Sequence, residues 1–226
     1  MIPVDKQPYK VGEVGSRLSM LDAYRQDLDF WGNGERKIYH PLTQSLSKFL
    51  VKNVSCVRDS AMHFWCDVGC GAGFFLEGLC ESMRAEGRVV LPSGVDVSPE
   101  ALDRCRQLYP HGEFVEIDLD TYLHKEGHTV VPWINANVVS FIDTLQYFKN
   151  YRRTLAEIIA GVQVGTVIVV ADGMIRSNLR DWLKNVDEVA YIGGWIDYST
   201  PVTPRDPNNP KSKSSHLKYR IYQKLL

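Results

Sequence analysis

The stretch MHFWCDVGCGAG, residues 62–73, decides the fold. A short apolar run ends in an acid, Asp67, and Gly69, Gly71 and Gly73 follow at alternate positions. Phe75, Leu76, Leu79, Cys80 and Met83 then recur at helical spacing, so the glycines occupy a strand-to-helix turn. Glycine reaches positive φ and lets a ligand approach the backbone closely. The helix that follows offers free N–H groups in its first turn. Such a loop suits a nucleotide-like ligand at the carboxyl ends of the strands. Taken alone, it also fits a tight turn with no ligand.

Downstream the same rhythm repeats. A second strand ends in GVD at Asp96, and Ser98 and Pro99 supply an N-cap and a first helical residue. Ala101, Leu102, Cys105 and Leu108 form the stripe of that helix. Residues 114–117 read as a third strand, ending at Asp118, and residues 137–142 as a fourth, ending at Asp143. Leu155, Ile158, Ile159 and Val162 mark another helix, and the β-branched run 165–171 a fifth, central strand. Alternating strands and helices predict a parallel sheet with helices on both faces.

Upstream, Leu42, Leu46, Phe49 and Leu50 share one helical face behind Pro41, and residues 18–39 are rich in aromatics, including Trp31 and Tyr39. Toward the end, residues 178–190 suit a helix and 189–196 a strand or a loop. Residues 201–215 hold four prolines and read as a loop, and 216–222 as a strand. Residues 205–226 carry six basic residues against one acid. A solvated loop and an edge strand guarded by lysine explain this better than a nucleic-acid patch.

Composition narrows the class. The 226 residues are 44% hydrophobic and 23% charged with net charge −1, an ordinary globular balance without a strong overall field. No apolar run is long enough for a membrane span and no signal peptide is visible, so a cytoplasmic location is expected. Five cysteines, at 56, 66, 70, 80 and 105, have no zinc spacing and read as reduced thiols, with no metal site.

The loop discriminates among ligands. No G-x-x-x-x-G-K-[ST] run exists, and Phe74 stands where a dinucleotide fingerprint needs its third glycine. Asp67 would repel a pyrophosphate and suits a ligand bearing an amino group. Asp96 is placed to take ribose hydroxyls, and Asp118 to accept from an exocyclic amine.

Residues 60–172, with DVGCGAG at 67–73 and GVDVS at 94–98, resemble the class I S-adenosylmethionine-dependent methyltransferases. The resemblance implies a Rossmann-like α/β fold with a seven-stranded, mostly parallel sheet whose last strand is antiparallel. It implies a core over residues 56–226 behind a helical N-terminal lid over residues 1–55. It assigns S-adenosylmethionine, with S-adenosylhomocysteine as product, to Asp67, Gly69, Cys70, Gly71, Gly73, Asp96, Val97, Asp118 and Leu119. Gly69 and Gly71 would face the methionine portion and Asp118 and Leu119 the adenine.

The acceptor would sit at the exit of the fourth strand, beside Asp143, Gln146 and Tyr147, although Tyr147 and Phe148 equally suit helix packing. In the lid, His40 is the candidate base by position and Trp31 and Tyr39 are candidate aromatic walls; His63 reads as structural. The expected activity is methyl transfer to oxygen or nitrogen of a small molecule or peptide. The exit lacks [DN]-P-P-[YFW] and Pro-Cys, which disfavours DNA base methylation. An RNA methyltransferase, supported by Tyr219 and Tyr222 within the basic stretch, and a non-catalytic donor-binding subunit are the alternatives.

Overall fold

The computed structural model describes residues 28, 39–122, 131–171, 178–183, 186, 189–193 and 219–225. Strand β1 (Met62–Val68) pairs in parallel with β2 (Val89–Asp96), from Met62 opposite Val89 to Val68 opposite Val95. The short β3 (Phe114–Glu116) joins the far side of β2. On the other side of β1 follow β4 (Val138–Ile142) and β5 (Val167–Ala171), both parallel. All residues of β4 and β5 are buried, which is why their sequences run apolar without alternation. With β6 (Val189–Gly193) and β7 (Tyr219–Lys224), the sheet has seven strands in the order β3-β2-β1-β4-β5-β7-β6. β7 runs antiparallel to both of its neighbours.

Helices cover both faces. On one lie α1 (Tyr39–Asn53), α3 (Phe74–Ala85) and α4 (Pro99–Leu108), with the one-turn α2 (Ser55–Arg58) after α1. Leu42, Leu46 and Leu50 of α1 and Leu76, Leu79 and Met83 of α3 meet Trp65, Val169 and Tyr219 of the sheet in one core. On the other face lie α5 (Leu119–Tyr122), α6 (Tyr151–Gly161) and α7 (Asn178–Leu183). There Leu155, Ile158 and Ile159 pack on Cys66, Phe141 and Ile168. Each fully buried Leu or Ile contributes about 1.5–3 kcal/mol. Among the described residues no helix is long and apolar enough to cross a membrane.

Two readings of the C-terminal third are corrected. The last strand is not an edge strand: it lies between β5 and β6, with Ile168 opposite Tyr222 and Tyr191 opposite Tyr222 on the other side. Alternation along a segment identifies a strand but not its neighbours, and this pairing joins residues far apart in sequence. Lys224 guards nothing at the surface; it is 7% exposed, and its Nζ donates to the carbonyls of Ala160 (2.9 Å) and Val162 (3.0 Å). These close the C-terminal end of α6, where a cation also meets the negative end of the helix dipole. The helix expected over 178–190 ends at Leu183, because Val189 and Ala190 pair with Lys224 and Gln223 in β6.

Trp31 and the loop expected over 201–215 lie outside the described residues. Of the N-terminal segment, α1 is described, and it is a layer helix packed on the sheet: Ser45 Oγ lies 3.3 Å from the Tyr219 hydroxyl. The five cysteines are free thiols, with Cys66, Cys70 and Cys105 buried. His63 is buried on β1, and burial holds its imidazole toward the neutral form.

Replacing Lys224 by Met keeps its aliphatic stem but strands the two carbonyls at the end of α6. The K224M variant is expected to lose about 1–3 kcal/mol of stability in urea denaturation; an unchanged midpoint would contradict the capping role.

Candidate active site

Strands β1 to β4 run parallel, so the residues after each of them meet at one edge of the sheet. Asp67, Asp96, Asp118 and Asp143 stand at or just beyond the ends of these strands in order. A row of acids on one sheet edge favours a cationic ligand over a phosphate.

The loop between β1 and α3 is built from backbone. The N–H groups of Gly69 and Cys70 donate to the carbonyl of Val95, at 2.8 and 3.1 Å, which folds the loop over the end of β2. Gly69 and Gly73 have φ of +76° and +81°. A Cβ on Gly69 would stand 1.9 Å from Thr144 Oγ1, so this glycine meets both a conformational and a steric demand. Gly73 is the N-cap of α3. Behind the loop, Arg104 donates to the Ala72 carbonyl, pairs with Glu77 at 2.7 Å and lies over the Phe74 ring. The Cys105 thiol donates to the Gly71 carbonyl at 3.4 Å.

Asp96 organises the next position. Its Oδ2 accepts from Gly71 N–H at 2.8 Å, and its Oδ1 accepts from the N–H groups of Val97 (2.8 Å) and Ser98 (3.0 Å). Ser98 in turn caps α4 by accepting from Ala101 N–H at 3.2 Å. Asp118 accepts from Asp120 N–H at 3.1 Å, and Leu119 beside it is buried.

Asp67 is 2% exposed. Trp65 Nε1 donates to Ser140 Oγ at 2.7 Å, and Ser140 Oγ donates to Asp67 Oδ1 at 2.5 Å. Burial pushes the Asp67 carboxyl up to about 8; Ser140 opposes that rise and the Asp96 charge adds to it.

At the exit of β4, Asp143 adopts φ of +52°, a left-handed conformation that is uncommon outside glycine. Its N–H is held by the Ala171 carbonyl at 2.6 Å, and its Oδ1 accepts from Gln146 Nε2 at 3.2 Å. Tyr147 is 40% exposed, whereas Phe148 packs against the second core. The packing role that the sequence allowed to both thus falls to Phe148.

His40 is not brought to this exit. Its Nδ1 lies 3.7 Å from Glu81 of α3, and it lines a surface cleft of about 250 Å³ with Gln44, Lys48 and Glu86. Tyr39 stands edge-on to Phe75, with ring centroids 6.0 Å apart. Sequence reasoning passed over Ser140, Thr144 and Arg104. A lone serine inside the apolar run VVSFI was the available signal for the first; spacing carried none for Thr144 or Arg104.

The backbone strain of Gly69→Ala alone costs about 1–2 kcal/mol, before any clash. A lower melting temperature is expected for G69A, partly restored when Thr144→Gly is added. A melting temperature equal to wild type would contradict the described loop.

Comparison with known proteins agrees with this geometry. Residues 66–170 match the family model described as "Methyltransferase domain". No curated protein sequence matches the chain. Among solved structures, the plantazolicin methyltransferase BpumL, bound to S-adenosylhomocysteine, is similar at 14% identity and a TM-score of 0.58, covering 94% of this chain and 97% of that one. A chain of the complex between the Haloferax volcanii Trm112 methyltransferase activator and a methyltransferase is similar at 13% identity and a TM-score of 0.60, covering 91% and 98%. The [4+2]-cyclase SpnF is also similar, at 12% identity and a TM-score of 0.55, covering 81% of each chain. At these identities the likeness establishes the fold alone. Residues 66–170 thus match a methyltransferase domain, and the chain shares the Rossmann-like α/β fold of these solved structures.

Proposed function

We propose that the chain transfers the methyl group of S-adenosylmethionine to an oxygen or nitrogen of a small molecule or peptide. The observation that carries this reading is the row Asp67, Asp96, Asp118 and Asp143 around a loop that glycine alone can form. The donor supplies a methyl group on a positively charged sulfur and carries an α-ammonium group, which suits an acidic rim.

In this reading Asp67 takes the ammonium group, and Gly69, Cys70, Gly71 and Gly73 form the floor under the methionine portion. Asp96 takes the ribose hydroxyls, with Val97 beside it, and Asp118 and Leu119 flank the adenine. Because the donor is already activated, the protein has mainly to align acceptor and methyl at about 3–3.5 Å. Asp143 and Tyr147 serve acceptor contact, with Gln146 holding the Asp143 carboxylate. A base is needed only when the acceptor loses its proton during transfer. Asp143 is then the group beside the reaction, and His40 is the further candidate base in the N-terminal segment, residues 1–55, which we propose as the lid.

The RNA alternative loses the aromatic part of its support. Tyr219 and Tyr222 are core residues, 0% and 2% exposed, and so present no stacking surface.

Calorimetric titration with S-adenosylhomocysteine, with NADH as control, tests the donor site. Saturable binding of S-adenosylhomocysteine alone is expected, and Asp96→Ala is expected to weaken it tenfold or more, since hydrogen bonds to a charged group contribute about 1.5–3 kcal/mol each. Binding of NADH alone, or wild-type affinity in D96A, would overturn the reading. Radiolabelled donor is expected to label small-molecule or peptide pools; label confined to RNA would overturn the acceptor class.

A further inference from the structure

The interior of the site holds a polar chain that the methyl transfer does not itself require. Trp65 on β1 and Ser140 on β4 are both 0% exposed, and both side chains lead to Asp67. An indole N–H only donates, so Ser140 Oγ must accept from Trp65. The serine's single hydrogen is thereby left for Asp67 Oδ1. The contact, at 2.5 Å, is at the short end of the range for a hydroxyl donating to oxygen. The chain has one direction, Trp65 to Ser140 to Asp67, and it occupies one carboxylate oxygen while leaving the other for a ligand.

We propose that Trp65 and Ser140 form a buried relay that aims the Asp67 carboxylate at the donor's α-ammonium group, making Ser140 a positioning residue for donor binding. The inference rests on the reading of Asp67 as the ammonium site.

The relay works against its surroundings. Burial in the strand interior disfavours the ionised carboxyl, and the charged Asp96 at the end of β2 disfavours it further. The titratable neighbours within the site are neutral thiols: burial raises the pKa of Cys66 on β1, and the hydrogen bond with Cys105, then burial, raises that of Cys70 in the loop. Ser140 is the group that favours the ionised form. Without donor, the carboxyl therefore holds its proton over much of the neutral range. An arriving ammonium group favours the carboxylate, and the proton leaves to solvent. Affinity accordingly rises with pH through the bound-state pKa and levels off above the donor-free value of about 8.

The test is titration of the full chain with S-adenosylhomocysteine between about pH 6 and pH 8.5, in buffer pairs of different ionisation heat, which count protons released. Wild type is expected to release a proton fraction that falls toward zero near the upper end of the range. Asp67→Asn is expected to bind more weakly and release none. In Ser140→Ala the carboxyl loses its one favourable hydrogen bond, so the affinity profile moves to higher pH. On the acidic limb, affinity at a fixed pH then falls about tenfold for every pH unit the profile moves, and on the plateau it changes little. Ser140→Cys, a weak donor of similar size, is expected to move the profile the same way and serves if the alanine variant does not fold. A role in packing alone would lower affinity equally at every pH. A profile and proton count unchanged in S140A and S140C would overturn the relay while leaving the donor site intact. Failure of wild type to bind S-adenosylhomocysteine at any pH would overturn both.

Discussion

One carboxylate holds the site together. Asp96 accepts from three backbone N–H groups: Gly71 in the loop after β1, and Val97 and Ser98 after β2. It joins two crossover connections at the point where both leave the sheet. Because Ser98 then caps α4, the same residue fixes the start of that helix. The loop needs this anchor, since its glycines have no side chains with which to hold their own conformation. Its remaining supports, the Val95 carbonyl in front and Arg104 and Cys105 behind, come from β2 and α4 as well. The conformation of the loop is thus a property of the β1–β2–α4 unit rather than of the loop alone.

The acids around that floor differ in physical state. Asp67 lies in the interior and its carboxyl is pushed up by burial. Asp96 is partly exposed and held by backbone donors. Asp143 sits in a left-handed backbone conformation at the exit of β4, tied to Gln146. Strain of this kind costs about 1–3 kcal/mol and persists where the surroundings dictate it. Here the Ala171 carbonyl does so by holding the Asp143 N–H. The same sheet edge therefore carries a buried carboxyl, a half-buried one and one on a left-handed backbone, and the proposed roles of donor cation, ribose hydroxyls and acceptor fall to them in that order.

How much of this was legible in the sequence follows from the range of each interaction. The loop, the acids and the Ser98–Pro99 helix start are local patterns, and each is where the spacing placed it. Strands β1 to β5 were legible as apolar runs ending in turn residues. The insertion of β7 between β5 and β6 was not, because alternation in YRIYQK does not encode a partner as distant in sequence as Ile168 is from Tyr222. Lys224 misled for the same reason: lysine near a chain end suggests solvent, yet two carbonyls at the end of α6 receive it in the interior. The Trp65–Ser140–Asp67 chain joins residues on two strands through side chains. Only the lone serine in an apolar strand hinted at it. His40 was nominated from its place in the N-terminal segment, and position along the chain could not reveal that its partner would be Glu81.

The central claim is that the acids at the ends of β1 and β2 receive the two ends of one donor. A crystal structure of the chain with S-adenosylhomocysteine measures this directly. The account predicts the α-ammonium nitrogen within about 3 Å of Asp67 and the ribose hydroxyls within about 3 Å of Asp96, above the Gly69–Gly73 loop. A ligand bound elsewhere, or bound with its ribose away from Asp96, would contradict it.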